Sequence, residues 1–261
     1  MRSVCWKLHL FPLAIFAAIA CVCICGCSWK GPMFPLDNPT PRADVHSYAN
    51  PAEWKATRVF LDLDVDFNRK VIRGTALLDL DRSPGSPAPA VMLDTRALKI
   101  EKAEWIADSA AGKWNVAKFS VGASDPILGA PLRVEIPPEA RAVRIAYESS
   151  PDAVALQWLE PAQTAGKKQP FLFSQSQAIQ ARSWIPLQDS PGIRVTYGAK
   201  IRVPGQLRAV MSANTNPFAE DAGGIMLDAS TREFHFEQPK PIPSYLIALA
   251  VGDLAFANLD P

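Results

Sequence analysis

The chain has 261 residues, of which 24 are proline and 14 are glycine, and 48% are hydrophobic. This length suits one large all-β domain or two small domains and allows a sizeable buried core. The proline and glycine content is too low for a low-complexity chain, and the hydrophobic content excludes a disordered one. The formal net charge of +1 gives no electrostatic indication of nucleic-acid binding, so no nucleic acid is expected among the partners.

The first 27 residues have the layout of a secretory signal. Two basic residues precede an apolar stretch over residues 8–25 that contains no acidic residue. The end of this stretch resembles the cleavage site of bacterial lipoproteins, which implies that Cys27 becomes the lipidated first residue of the mature protein. That resemblance also implies a cell-envelope location, and Ser28 after the cysteine favours anchoring in the outer membrane, on its periplasmic side. An uncleaved membrane helix is the alternative, because about 18 apolar residues can just span a bilayer.

Residues 28–51 are rich in proline, asparagine and aspartate and predict a tether between the membrane and the domain at residues 52–261. All five cysteines lie within the first 27 residues, so the predicted domain has no disulfide framework and no cysteine-ligated zinc site. The three histidines are too far apart in sequence to form a local metal motif.

The body of the chain alternates apolar and polar residues with the period of two that predicts β-strands. The clearest strand is Val59–Phe67, which is followed by a turn and by a return strand over Val71–Leu80, so a hairpin is predicted. Further strands are predicted at Val91–Asp94, Leu98–Ala107, Leu132–Ile136, Val143–Tyr147, Ile193–Val203, Ala209–Ala213, Thr231–Phe236 and Tyr245–Val251. No amphipathic helix or internal repeat is found, so we expect an all-β fold, either a sandwich or a set of packed sheets.

The acidic residues Asp62, Asp64 and Asp66 have the one-three-five spacing of a calcium-binding loop. Such a loop requires glycine at its sixth position and glutamate at its twelfth, where this chain has Phe67 and Arg73. The apolar residues between the three aspartates favour a solvated face of a strand.

Two glutamines, Gln175 and Gln177, stand one residue apart in the polar segment 171–191. On an extended strand their side chains project from the same face. A glutamine side chain has two donors and an acceptor, which suits it to binding an ammonium group or a peptide backbone. From the residue types alone, the plainer interpretation is favoured, in which both glutamines satisfy backbone groups at a sheet edge.

Several segments together resemble the amino-terminal domain of the M1 family of zinc aminopeptidases, which includes leukotriene A4 hydrolase. These segments are Asp152–Leu159, Gln163–Gly166, Phe173–Ile179, Ala181–Ser183, Pro186–Pro191 and Pro241–Gly252. The resemblance covers about residues 45–257. It implies a saddle-shaped, multi-sheet β-sandwich that packs on a thermolysin-like catalytic domain.

The same resemblance assigns roles to individual residues. It implies that Gln177 helps to bind the free α-amino group of a peptide, that Gln175 makes a neighbouring substrate contact, and that Asp189 in the PxxDxP turn is structural. The chain contains neither the GxMEN loop nor the HExxH helix of the family, so no catalytic or metal-binding residue is expected in it. No cofactor is therefore expected in this chain, which is predicted to be inactive alone, and zinc is expected in a catalytic domain outside it.

Two functions follow as hypotheses. The first is the substrate-contacting and scaffolding domain of a membrane-anchored M1 zinc aminopeptidase, which binds peptide N-termini and works with a catalytic domain in the same or a separate chain. The alternative is a stand-alone cell-envelope β-sandwich module that binds a protein or peptide without enzymatic activity. The face that docks on the catalytic domain should expose an apolar patch in the first case and polar residues in the second.

Overall fold

The structure is a computed structural model that describes residues 44–108, 112–214 and 223–257. These residues form 15 strands and three short 3-10 turns, with no α-helix among them, which confirms the predicted all-β fold. The predicted signal segment, with Cys27, and the tether as far as residue 43 lie outside the described residues. Within the described ranges, no helix is long and apolar enough to span a bilayer.

The strands are numbered in chain order. They are β1 Trp54–Asp66, β2 Val71–Arg82, β3 Ala90–Thr95, β4 Lys99–Ile106, β5 Asn115–Val116, β6 Phe119–Val121, β7 Ala130–Glu135, β8 Ala142–Glu148, β9 Leu156–Leu159, β10 Phe171–Ser174, β11 Arg194–Pro204, β12 Arg208–Met211, β13 Ile225–Met226, β14 Thr231–Pro243 and β15 Leu249–Gly252. The 3-10 turns are Pro161–Gln163, Ala181–Ser183 and Ser244–Leu246.

The strands form three sheets. An eight-stranded sheet has the order β13-β14-β11-β1-β2-β8-β4-β5, a four-stranded sheet the order β12-β15-β10-β9, and a three-stranded sheet the order β3-β7-β6. The predicted hairpin is confirmed, because β1 pairs antiparallel with β2, and β1 pairs parallel with β11 on its other edge. The buried side chains of all three sheets belong to one hydrophobic core.

The alternation in β1 separates a buried face from a charged one. Leu61 and Leu63 are fully buried, whereas Asp62 and Asp64 lie on the other face and pair with Arg202 of β11 at 2.6 and 2.5 Å. The predicted strand face is therefore confirmed, and two of the three carboxylates with the spacing of a calcium loop pair with one guanidinium instead.

Two predicted strands have wrong limits at the end of the chain. The prediction Tyr245–Val251 is wrong at its start, because Ser244–Leu246 is a 3-10 turn in which Ile247 N donates to Ser244 O at 3.0 Å. Strand β14 continues seven residues beyond the predicted Phe236, to Pro243. Among the described residues, this part of β14 pairs only with β11, apart from one isolated bridge between Asn214 and Glu237. It is therefore an edge strand, where proline is tolerated.

Candidate functional site

The two glutamines lie in a turn directly after β10. On an extended strand the two side chains would project from one face, but β10 ends at Ser174 and residues 177–180 form a turn. Leu249 N donates to Ser174 Oγ at 2.9 Å, and Gln175 N donates to Ala155 O at 2.8 Å. Gln180 N then donates to Ser176 O at 2.9 Å and closes the turn. We call residues 175–180 the glutamine turn.

The alternation that predicted a shared face holds within this turn. Gln175 and Gln177 are exposed, whereas Ser176 between them is only 2% exposed. Gln177 N donates to Gln175 Oε1 at 3.2 Å, and the peptide bond from Gln177 to Ala178 is cis. Among the described residues, no partner hydrogen-bonds to the Gln177 carboxamide, so its oxygen is available to accept from a ligand and its amide to donate.

The underside of the glutamine turn is tied to the core by two serines. Ser176 Oγ accepts a hydrogen bond from Trp184 Nε1 at 3.0 Å and lies 3.4 Å from Ile247 O. Ser183 Oγ donates to Gln180 O at 2.8 Å and accepts from Ala155 N at 3.1 Å. The turn is therefore held against the chain before β9 and before β15, while its outer side faces solvent.

A buried ion-pair network holds the segment that follows the glutamine turn. Arg182 is 0% exposed, and its Nε lies 3.0 Å from Asp189 Oδ2 and its Nη1 3.7 Å from Asp94 Oδ1. Asp189 N donates to Asp94 Oδ2 at 2.8 Å, and Ser244 Oγ donates to Asp189 Oδ1 at 2.5 Å. Asp189 therefore has the structural role expected for it, and the network joins β3 to the end of β14.

The chain before β1 closes this network from the outside. Ser47 Oγ and Tyr48 N donate to the two oxygens of Asp94 at 2.6 and 2.7 Å. Burial raises the pKa of Asp94, and Arg182, Ser47 and Tyr48 oppose that rise because they stabilise the carboxylate. Ser190 Oγ donates to Asp44 Oδ2 at 2.5 Å. The last residues of the segment that the sequence predicts to be a tether therefore contact the domain.

Three large, exposed apolar side chains stand next in sequence to the residues that anchor the glutamine turn. Val154, Phe173 and Leu246 are 38%, 37% and 46% exposed. Each adjoins an anchor of the turn: Val154 precedes Ala155, Leu246 precedes Ile247, and Phe173 lies at the end of β10. We call these three residues the apolar rim.

A polar surface groove lies away from the glutamine turn, near the ends of β1 and β11, and neither glutamine lines it. Arg202 contacts Asp64 at 2.5 Å and Arg73 lies 3.7 Å from the same carboxylate, while Asp66 Oδ1 accepts hydrogen bonds from Asn68 N and Arg69 N at 3.0 Å. Both arginines of this groove are therefore already paired with a carboxylate and are not free to select an anionic ligand.

The described residues do not fit a zinc site. No group of three or more His, Cys, Asp or Glu side chains is arranged there to hold a metal ion. His46 lies 3.6 Å from one carboxylate, that of Asp44, and His235 lies 2.6 Å from that of Glu233. A catalytic zinc needs three protein ligands, so we derive no step through zinc from these residues.

Comparison with known proteins identifies relatives along most of the chain. The family model of the peptidase M1 N-terminal domain matches residues 46–246, a range that contains the glutamine turn, the apolar rim and the buried network. Leukotriene A-4 hydrolase of Xenopus laevis is 37% identical over 224 residues, which cover 84% of this chain and 35% of that protein. Leucine aminopeptidase 2 of Pyricularia oryzae is 34% identical over 223 residues, which cover 84% of this chain and 34% of that protein.

Solved structures agree with these relatives. Native leukotriene A4 hydrolase of Saccharomyces cerevisiae superposes with a TM-score of 0.72 at 29% identity, over 85% of this chain and 32% of that chain. An M1 zinc metallopeptidase of Deinococcus radiodurans, at 18% identity and a TM-score of 0.57 over 78% of this chain and 43% of that chain, shares the fold. The chain spans about a third of the length of the curated relatives that it matches.

Proposed function

Because the chain belongs to the peptidase M1 N-terminal domain family, we propose that it is the substrate-contacting and scaffolding domain of a zinc aminopeptidase. In this function Gln177 binds the free amino group of a peptide and Gln175 makes a neighbouring contact. A catalytic region with its own zinc ligands hydrolyses the peptide bond. The observation that carries the proposal is the exposed carboxamide of Gln177, which has no partner in the described residues and lies on a turn anchored from below.

The chemistry of the carboxamide fits a peptide N-terminus. The oxygen of Gln177 can accept a hydrogen bond from an ammonium group, and a hydrogen bond with one charged partner is about twice as strong as a neutral one. Because the two ends of the turn are tied to the core, less backbone conformational entropy is lost when a peptide binds than in a free loop. A peptide with an acetylated N-terminus has lost the charge and all but one of the N–H donors, so this site selects free amino groups.

The apolar rim supports docking of a catalytic region on this face. Val154, Phe173 and Leu246 are large and exposed and stand next in sequence to the anchors of the glutamine turn, and a second domain that covered them would remove apolar surface from water. Docking there would also place the two glutamines at a domain interface, where ligand sites are frequent. A stand-alone binding module is expected to carry polar residues on this face, so the rim counts against that alternative.

The proposal includes anchoring of the protein in the bacterial outer membrane, on the periplasmic side, through acyl chains on Cys27. Its support is the sequence of the first 27 residues. Replacement Cys27→Ser should release the protein from the membrane fraction, and retention of this variant would contradict a lipid anchor.

The test of substrate contact is the variant Gln177→Ala in the enzyme that this domain forms with its catalytic region. We expect KM for leucine p-nitroanilide to rise about 10-fold or more, since a hydrogen bond to a charged group contributes about 1.5–3 kcal/mol. The matched control is Gln206→Ala, because Gln206 is exposed and lies before β12, at the opposite end of the four-stranded sheet. An unchanged KM for Gln177→Ala would exclude Gln177 from the site.

A further inference from the structure

We propose that Ser176 and Trp184 are positioning residues that hold Gln177 in its binding orientation. The inference rests on the function proposed above, because it names what fixes the geometry of that site. Ser176 is 2% exposed and Trp184 is 0% exposed, so neither side chain meets solvent. The indole N–H of Trp184 donates to Ser176 Oγ at 3.0 Å.

The hydrogen bond between Trp184 and Ser176 fixes the backbone directly before Gln177. Backbone hydrogen bonds hold Gln175 at one end of the turn and Gln180 at the other. Residues 177–179 make no backbone-to-backbone hydrogen bond within the described chain. Ser176 is therefore the last buried anchor before Gln177, and its side chain points into the core while the Gln177 side chain points out.

Burial makes the hydrogen bond hard to replace. With both side chains in the core, a water molecule cannot take the place of either partner without entering the packed interior. If the indole N–H is removed, Ser176 Oγ keeps only the long contact to Ile247 O at 3.4 Å. No strong hydrogen bond then stabilises one rotamer of Ser176 over the others, and the exposed peptide at Gln177 can sample other orientations.

A loss of orientation has a defined kinetic signature. The apparent affinity of a site is its intrinsic affinity multiplied by the fraction of molecules in the binding-competent conformation. If that fraction falls to about a third, the apparent dissociation constant rises about threefold, while the rate of the bound complex is little changed. We therefore expect an effect on KM rather than on kcat.

The test is Trp184→Phe in the complete enzyme, with leucine p-nitroanilide as substrate. This variant keeps a large aromatic ring in the core and removes the N–H donor. We expect KM to rise roughly 3–10-fold with kcat within about twofold of the wild type. The matched control is Trp54→Phe, because Trp54 is also 0% exposed and its Nε1 donates to Ala88 O at 3.1 Å, at the start of β1. It should lower Tm by a similar amount and leave KM unchanged.

The same substitution in the Gln177→Ala enzyme shows whether the rise in KM depends on Gln177. In the Gln177→Ala enzyme, Trp184→Phe should cause no further rise in KM, because the side chain that it positions is gone. An equal rise in both backgrounds would overturn the inference, and so would a wild-type KM for Trp184→Phe when Gln177→Ala alone has its expected effect. If Gln177→Ala itself leaves KM unchanged, the proposed function fails and this inference fails with it.

The double variant Ser176→Ala/Trp184→Phe separates positioning from stability. It removes both polar partners together, which is nearly neutral for stability compared with leaving one of them unpaired in the core. We expect Tm to recover towards that of the wild type while KM stays raised. A KM that returns to the wild-type value together with Tm would mean that the pair only stabilises the fold, which would overturn the inference.

Discussion

The buried side chain of Arg182 hydrogen-bonds to several segments of chain that are distant from each other in sequence. Its guanidinium donates to both the side chain and the backbone carbonyl of Asp189, and to the carbonyl oxygens of Leu128 and His46 at 2.7 and 2.8 Å. These partners come from three stretches of chain that are distant in sequence. Because one fully buried cation satisfies all of them, its removal would leave several polar groups unpaired in the core.

We expect Arg182→Met to lower the free energy of unfolding by about 3–5 kcal/mol, the usual effect of removing one partner from a buried ion pair. Arg69→Met is the matched control, since the Arg69 side chain is 52% exposed and pairs with Glu148 at 2.6 Å. An exposed pair of this kind contributes about 0.2–1 kcal/mol. Urea denaturation of both variants gives the comparison, and equal losses would contradict a special role for Arg182.

Glu233 couples the outer face of the large sheet to pH. The hydrogen bond with His235, followed by that from Arg202, lowers the pKa of Glu233 below its ordinary value of 4.5. In the unfolded chain Glu233 therefore takes up its proton at a higher pH than in the folded chain. Its contribution to stability is fully present above pH 4.5 and is lost as the pH falls through the lower folded value.

The variant Glu233→Gln removes this titration. Below pH 4.5 its Tm should fall less steeply with decreasing pH than that of the wild type, because one proton-linked loss of stability is absent. Thermal unfolding from about pH 6 to about pH 3 measures both slopes. Parallel slopes throughout that range would show that Glu233 does not couple stability to acid.

Gly74 allows the central hairpin of the eight-stranded sheet to pair closely. It lies opposite Leu63 in the β1–β2 register, with φ at +147°. A Cβ atom at this position would lie 2.0 Å from the backbone oxygen of Asp62. A side chain at this position would therefore require β1 and β2 to move apart.

Replacement Gly74→Ala should lower the free energy of unfolding by about 3 kcal/mol or more, because strained backbone alone costs of order 1–3 kcal/mol and the clash adds to it. Gly166→Ala is the control, since a Cβ there meets no atom within 4 Å, and its effect should stay within about 0.5 kcal/mol. Comparable denaturation midpoints for the two variants would contradict the close pairing at Gly74.

The elements that the sequence predicts well are those that bury one face along many residues. Strands β1 and β2 show this alternation. The predicted limits of β2 agree with the structure within two residues, whereas β1 begins five residues before the predicted Val59. The short strands β5, β6 and β13 have two or three residues each, too few to show any period. The sequence does not show where β10 ends, because Ser174, Gln175, Ser176 and Gln177 continue the alternation of a strand beyond it, although the hydrogen bond from Gln180 N to Ser176 O closes a turn there.

At the scale of the whole molecule, the resemblance identified the family and the two exposed glutamines, but not what supports them. Ser176 and Trp184 stand eight residues apart with no recognisable pattern, and their hydrogen bond depends on the tertiary fold. The partners of Asp189 could not be predicted either, because Asp94 lies in β3 and Ser244 begins the 3-10 turn after β14, both far from Asp189 in sequence.

The most direct measurement compares inhibition of the complete enzyme by leucinamide and by N-acetyl-leucinamide, for the wild type and for Gln177→Ala. If Gln177 binds the free amino group, the inhibition constant of leucinamide should rise about 10-fold or more in the variant, since the lost hydrogen bond has a charged partner. The inhibition constant of N-acetyl-leucinamide should stay the same, because it has no ammonium group. Unchanged inhibition by leucinamide, or an equal rise for both compounds, would contradict the proposed binding of peptide N-termini by this domain.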